Sequence, residues 1–110
     1  MFEEFSMNTV TSQSFEREVL KSTTPYMLEF GAVWCGPCKR MEPEMEKLAD
    51  AWTGKVSVGK IDVDEAADIA INYQIMSVPT VLLFVNGEPV ERVSGYHPIE
   101  KIISKFETHI

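Results

Sequence analysis

Both cysteines of the chain, Cys35 and Cys38, lie in the hexapeptide Trp-Cys-Gly-Pro-Cys-Lys that ends at Lys39. Two thiols separated by two residues can close a small disulfide or bind a metal ion. At a helix start, positions i and i+3 are neighbours, with Cβ atoms about 5–6 Å apart. Small adjustments bring the two sulfurs to bonding distance, so the spacing favours a dithiol that opens and closes reversibly.

The predicted helix start gives the two thiols different surroundings. Cys35 lies nearest the unpaired N–H groups and the positive end of the helix dipole, and both features favour its thiolate form. Cys38, one turn inside, is expected to be more shielded. We therefore expect Cys35 to be the attacking nucleophile and Cys38 the thiol that resolves a mixed disulfide. Pro37 fits the first helical turn, where no N–H donor is needed.

A metal site needs more ligands than the cysteine pair provides. A tetrahedral zinc ion requires four, and His97 and His109 are the only histidines of the chain. One precedes the predicted last helix and the other ends it, so they cannot easily converge on the cysteines. We expect no metal site within one chain, but a metal shared between two chains through Cys35 and Cys38 remains an alternative.

Composition restricts the class of protein. A chain of 110 residues, 45% hydrophobic and 25% charged, is typical of one globular domain, which we assign to residues 1–110. A net charge of -7 argues against binding to nucleic acid or to an anionic membrane surface. The N-terminus shows no signal-peptide pattern, and the longest apolar stretch, Val78 to Val85, is too short to span a bilayer. We expect a cytoplasmic protein, in which a lone cysteine pair is redox-active or metal-binding rather than structural.

The segments around the motif have the patterns of an α/β fold. Tyr26 to Val33 reads as a strand buried on both faces. A helix follows the motif, with Pro43 expected to kink it and Gly54 expected to end it. Its apolar face has helical spacing and comprises Met41, Met45, Leu48, Ala49 and Trp52. Before this unit we expect a short strand within 5–10 and a helix capped by Thr11-Ser12 that carries Phe15, Val19 and Leu20.

The second half predicts further strands and helices. Val56 to Val63 is a strand, and Asp64 is expected to cap a short helix through Tyr73. Residues 80–85 and 89–93 flank Asn86-Gly87, a strong hairpin signal, and Pro89 places the second of these strands at a sheet edge. The last helix starts near Pro98. This order of strands and helices predicts an α/β fold in which helices cover a mixed sheet.

With these elements in place, the chain resembles the thioredoxin family over nearly its whole length. The resemblance rests on the cysteine motif, on Pro43 in the following helix, on Val78-Pro79-Thr80, on Asn86-Gly87 and on Gly95. It implies the thioredoxin fold, a central mixed four- to five-stranded sheet with helices on both faces. It also implies that Pro79 follows a cis peptide bond and faces the cysteines.

The activity implied by this resemblance is that of a protein-disulfide reductase. The dithiol reduces substrate disulfides and is then recycled by a separate thioredoxin reductase, so the chain itself binds no cofactor. The Gly36-Pro37 dipeptide accompanies a reducing role in this family. We expect a monomer that acts in electron transport and redox homeostasis. Alternatives are a dedicated electron donor or isomerase, and a binding module that does not use its thiols.

Two charged residues are assigned roles by the resemblance. Glu29, inside an otherwise apolar strand, occupies the position of the buried Asp that assists proton transfer at the resolving cysteine, and burial should raise its pKa. Lys60 matches the lysine that pairs with this acid. The other reading of these residues is that both side chains are solvated.

A substrate surface is also implied. A small apolar groove is expected from Trp34, Val78, Pro79 and Gly95, flanked by Ser77 and Tyr96. The backbone of Val78 would pair with an extended substrate peptide. Gly31 departs from the family pattern, because many members carry a tryptophan there. Either another side chain fills the space behind the active site or the site is looser.

Overall fold

The computed structural model describes residues 7–110 as a five-stranded sheet with helices on both faces. The strands are β1 (Met7–Val10), β2 (Tyr26–Gly31), β3 (Ser57–Asp62), β4 (Thr80–Val85) and β5 (Glu88–Ser94). The helices are α1 (Gly36–Ala51), α2 (Ala67–Asn72) and α3 (Ile99–Phe106), together with a π-helical turn at Glu16–Leu20 and a 3-10 turn at Glu107–His109. This architecture confirms the predicted thioredoxin fold.

The sheet order is β1-β3-β2-β4-β5. Strands β1, β3 and β2 are parallel, whereas β4 pairs antiparallel with both β2 and β5. The predicted hairpin is confirmed, with Asn86 and Gly87 at φ of 53° and 81°, the left-handed values that a tight primed turn requires. Pro89 lies on the edge strand β5, as predicted, where its missing N–H costs no ladder bond.

Each face of the sheet has its own core. On one face α1 and α3 cover Met27, Val58 and Leu83, and on the other the π-helical turn and α2 cover Leu28, Phe30, Ile61, Leu82 and Phe84. Side chains alternate along a strand, so Glu29 and Gly31 share the α1 face with Met27. Strand β2 therefore directs these two positions toward the active-site helix. Within residues 7–110, no helix is long and apolar enough to cross a membrane.

Several predicted boundaries differ from those observed. The strand predicted to reach Val33 ends at Gly31, and the part of the first strand before residue 7 lies outside the described residues. The prediction that Asp64 caps a helix was wrong, since α2 begins only at Ala67. Instead the Asp62 carboxylate, at the end of β3, accepts the N–H groups of Asp64 (2.8 Å) and Glu65 (3.4 Å) and stabilises a turn before the helix.

The prediction that Thr11-Ser12 caps the first helix was wrong, since the helical segment begins at Glu16 and its N-cap residue, Phe15, makes no side-chain cap hydrogen bond. The Thr11 hydroxyl accepts the Ser14 N–H at 3.1 Å, and the Ser14 hydroxyl accepts the Thr11 N–H at 2.9 Å. This reciprocal pair resembles a capping box in its hydrogen bonds, but it stabilises the turn that precedes the helical segment. The following turn is wider than an α-helix, with the Lys21 N–H bonded to the Glu16 carbonyl.

Candidate active site

The cysteine pair lies at the start of α1, just after the short connection from the end of β2. Cys35 is the N-cap residue, and Cys35 and Cys38 are joined by a disulfide with a Cα–Cα distance of 5.3 Å. The Cys35 sulfur also accepts the N–H of Cys38 at 3.1 Å. A helix N-terminus thus points an otherwise unpaired N–H at the first sulfur, which stabilises negative charge there when the disulfide opens.

Burial does not distinguish the two sulfurs, contrary to the expectation that Cys38 would be more shielded. Cys35 is 4% exposed and Cys38 is 3% exposed. Their neighbours differ instead. The Cys35 sulfur lies 3.8 Å from the carbonyl oxygen of Val78, whereas Cys38 faces Gly31 and Glu29 on strand β2.

Glu29 is a buried carboxyl group, only 2% exposed. Desolvation, and then the negative charge of Glu42, raise the pKa of Glu29 from 4.5 to about 7, while the positive charge of Lys60 lowers it. Its Oε1 has no hydrogen-bond partner among the residues that the structure describes. A Cβ built on Gly31 would lie 3.3 Å from the Cys38 sulfur and 3.5 Å from Glu29 Oε2, so both atoms border the same small space.

Lys60 lies opposite Glu29 in the β2–β3 register, but it does not pair with it directly. Its ammonium lies 3.4 Å from Oε2 of Glu42 on α1. The predicted Lys60–Glu29 pair is therefore wrong as a direct contact. Helix α1 crosses over β3 and brings the carboxylate of Glu42 within reach of Lys60. Both side chains of this pair are more than a third exposed. Lys60 acts on Glu29 only through its charge.

The predicted groove residues come together beside Cys35. The Val78-Pro79 peptide bond is cis, as expected, and the Pro79 carbonyl accepts the N–H of Gly95 at 2.7 Å. Trp34 is 66% exposed, and its indole N–H donates to Oδ2 of Asp64 at 2.8 Å. A large apolar ring is thereby held at the surface next to the disulfide. Gly36 and Pro37 are exposed at the same end of α1.

Two contacts at this site were not foreseen from the sequence. Asp64 anchors Trp34, and the guanidinium of Arg40 lies 4.9 Å from the centre of the Tyr96 ring, a cation–π contact. Both join residues far apart in the chain, so no local pattern indicated them. Among residues 7–110 no group of three or more His, Cys, Asp or Glu side chains is placed to hold a metal ion.

Comparison with known proteins gives concordant matches. The family model described as Thioredoxin matches residues 6–108. The chain is 38% identical to thioredoxin of Staphylococcus saprophyticus over 101 residues, which cover 92% of this chain and 95% of the relative. It is likewise 38% identical to thioredoxin of Staphylococcus aureus, with the same coverage. It is 42% identical to the chloroplastic M-type thioredoxin of Spinacia oleracea, over 92% of this chain and 56% of that protein.

Proposed function

Because the chain belongs to the thioredoxin family and is a thiol–disulfide oxidoreductase that reduces protein disulfides through Cys35 and Cys38, we propose distinct roles for the two thiols. Cys35 is the attacking thiol and Cys38 the resolving thiol. The observation that carries this assignment is the position of the Cys35 sulfur, which accepts a helix N-terminal N–H and faces Val78. Cys38 contacts the interior instead.

The reaction proceeds by two exchanges. The Cys35 thiolate attacks one sulfur of a substrate disulfide, and the substrate S–S bond breaks as a mixed disulfide forms. The Cys38 thiolate then attacks the Cys35 sulfur and releases the second substrate thiol. Two electrons pass from the protein to the substrate, and the protein ends as the Cys35–Cys38 disulfide seen in the structure.

Glu29 is proposed to move the proton of Cys38. A carboxyl group whose pKa is about 7 can accept a proton and return it near neutral pH. Its Oε2 borders the space that the Cys38 sulfur also borders, which supports transfer directly or through one water molecule. Lys60 assists by lowering the pKa of Glu29 through its charge, in opposition to Glu42.

Substrate peptides are proposed to dock in the groove formed by Trp34, Val78, Pro79 and Gly95. The exposed indole of Trp34 provides an apolar contact, and the hydrogen bond to Asp64 limits its rotation, which reduces the entropy lost on binding. The Val78 carbonyl beside the Cys35 sulfur supports pairing with an extended peptide. Gly36 and Pro37 leave the approach to Cys35 open and accompany the reducing role.

We also propose the cellular setting. The oxidised pair is recycled by a separate thioredoxin reductase, and the chain itself carries no cofactor. It acts as a monomer in the cytoplasm, in electron transport and redox homeostasis, with residues 1–110 forming one domain. The strongly acidic composition supports protein partners rather than nucleic acid or membrane surfaces.

Insulin reduction driven by dithiothreitol tests the assignment of the two thiols. The unmodified protein should accelerate precipitation of the insulin B chain, and Cys35→Ser should abolish the acceleration. In the absence of dithiothreitol, reduced Cys38→Ser should instead accumulate a mixed disulfide with insulin, which added dithiothreitol then releases. Trapping by Cys35→Ser in place of Cys38→Ser would reverse the two roles, and no acceleration by the unmodified protein would refute the reductase function.

A further inference from the structure

Arg40 lies in the second turn of α1, near the end of the helix that carries the disulfide. Residues three and four apart are neighbours on a helix surface, so Arg40 follows Gly36 and Pro37 along one side of α1. Both of these residues are exposed beside Cys35, and Arg40 is exposed as well. The Arg40 side chain therefore belongs to the surface over which a substrate approaches the attacking sulfur.

The Tyr96 ring holds the Arg40 guanidinium at the margin of the groove. The guanidinium carbon lies over the ring, 4.9 Å from its centre, and the ring itself packs against the core beneath α1 and α3. Tyr96 directly follows Gly95, whose N–H is bonded to the Pro79 carbonyl. A guanidinium that meets an aromatic ring with its face keeps the N–H donors at its edge available. These donors therefore lie at the Gly95 end of the groove.

No carboxylate among residues 7–110 forms an ion pair with Arg40. By helical spacing its closest acidic neighbour toward the end of α1 is Glu44, four residues further along. Both oxygens of Glu44 are engaged elsewhere, Oε1 by the N–H of Ile99 at 2.9 Å and Oε2 by Lys47 at 3.3 Å. The guanidinium is thus left for a ligand, and a carboxylate is the group that its fork of donors binds best.

The two sides of the groove carry opposite charge. Strands β2, β3 and β5 run in the same direction and end at one edge of the sheet, with β3 and β5 on opposite sides of β2. Cys35 follows β2, Asp62 and Asp64 lie at and just after the end of β3, and Tyr96 follows β5. A peptide lying across Cys35 therefore meets carboxylates on one side and the Arg40 guanidinium on the other, which favours one orientation of a charged substrate.

We propose that Arg40 selects substrates by binding the carboxylate of an aspartate or glutamate close to the disulfide that Cys35 attacks. The inference rests on the proposed function, because it uses the same groove and the same attacking sulfur. Five residues of helix separate Arg40 from Cys35, which is about 7.5 Å along the axis. An extended peptide covers this distance with two to three residues of about 3.3 Å each. The preferred substrate has an acidic residue two or three positions from its cysteine, on one side only.

Blocked peptides of one length test this preference. Each contains one cysteine, is joined to a second copy by a disulfide, and holds glutamate, glutamine or lysine at one position, two or three residues before or after the cysteine. Reduced protein is mixed with each disulfide, and chromatography of the released thiol peptide gives the second-order rate constant. The protein's net charge of -7 alone would make the glutamate peptides the slowest. We expect glutamate on one side of the cysteine to react about two- to fivefold faster than glutamine there, the effect of an exposed ion pair.

Three positions are changed to assign the preference. Arg40→Gln removes the guanidinium from an exposed position, and the favoured glutamate peptide should become slower than its glutamine counterpart. Lys55→Gln, the matched control, removes the same charge from an exposed position beyond the far end of α1 and should keep the preference. Tyr96→Leu should reduce the preference because it removes the ring under the guanidinium, whereas Tyr96→Phe should retain it.

Three results would overturn the proposal. They are glutamate peptides that react more slowly than glutamine peptides at every position, a preference that survives in Arg40→Gln, and a preference that is lost equally in Lys55→Gln. An unchanged preference in Tyr96→Leu would show that the ring does not hold the guanidinium in place. If insulin reduction is intact, each of these results leaves the proposed function standing, whereas a protein that fails with insulin overturns that function first.

Discussion

Replacing Glu29 by glutamine should remove a pH-dependent cost of folding. In the folded protein the pKa of Glu29 is about 7, above the 4.5 of an unburied glutamate, chiefly because its carboxylate is desolvated. At about 1.36 kcal/mol per pKa unit, this difference corresponds to about 3 kcal/mol of folding free energy.

The sign follows from the two protonation states. Below pH 4.5 Glu29 is protonated in both the folded and the unfolded chain, and its burial costs nothing through ionisation. As the pH rises from 4.5 to 7, the unfolded chain loses a proton that the folded protein keeps, so the folded state loses stability. Above pH 7 the cost is fully present. Between pH 5 and pH 8 it should grow by about 2 kcal/mol.

Urea unfolding of the oxidised protein at pH 5, 6, 7 and 8 measures this effect. The stability of Glu29→Gln relative to the unmodified protein should rise by about 2 kcal/mol from pH 5 to pH 8, whatever the constant cost of the amide. Glu46→Gln, which neutralises an exposed carboxyl group on helix α1, is the comparison variant, and its stability difference should change less over this pH range. If the Glu29→Gln difference is the same at pH 5 and pH 8, the raised pKa is wrong.

The activity of Glu29→Gln provides an independent check on the role of this carboxyl group. Glutamine cannot accept the proton of Cys38, so insulin reduction at pH 7 should slow by at least roughly tenfold. A positioned acid–base group usually contributes about 10²–10⁴-fold to the rate. If Glu29→Gln shows the predicted pH dependence of stability but reduces insulin at the normal rate, Glu29 has the raised pKa but takes no part in proton transfer to or from Cys38.

Two further predictions concern the surroundings of the site. Lys60→Met should raise the pKa of Glu29 and Glu42→Gln should lower it, because the two charges act on Glu29 in opposite directions. The stability difference caused by Glu29→Gln is measured against pH in each background, and its pH midpoint should rise with Lys60→Met and fall with Glu42→Gln. A shift in the same direction for both would contradict this electrostatic account. Asp64→Ala should release the indole of Trp34 and increase the mobility of the ring. We expect KM for insulin to rise about two- to fivefold while kcat stays nearly constant. Steady-state kinetics measures KM and kcat, fluorescence anisotropy measures the mobility of the ring, and an unchanged anisotropy would show that Asp64 does not restrain it.

Much of the fold could be predicted because its signals are local. The run from Tyr26 to the motif, the apolar stripe of α1 and the Asn86-Gly87 turn each depend on neighbours in sequence, and the structure confirms all three elements. The start of α2 was misplaced because Asp62 and Asp64 are both good turn residues. Only the geometry at the end of β3 decides that Asp62 accepts the backbone N–H groups.

The site was predictable in part. The cysteine pair follows from spacing, and the position of Glu29 in an apolar strand already indicated an unusual carboxyl group. The partner of Lys60 could not be predicted, since it depends on how α1 crosses β3 and places Glu42 within 3.4 Å. For Gly31 the sequence left open whether another side chain fills the space. The structure contains a cavity there, lined by Gly31, Glu29 and Cys38 among others.

The contact between Arg40 and Tyr96 has a mechanical consequence. Arg40 lies in the first turns of α1, and Tyr96 follows Gly95 after β5. The contact therefore links the start of α1 to the segment that flanks the groove at Gly95. A cation–π contact near the surface contributes about 0.5–1 kcal/mol, which is enough to bias the Tyr96 ring toward α1 at the margin of the groove.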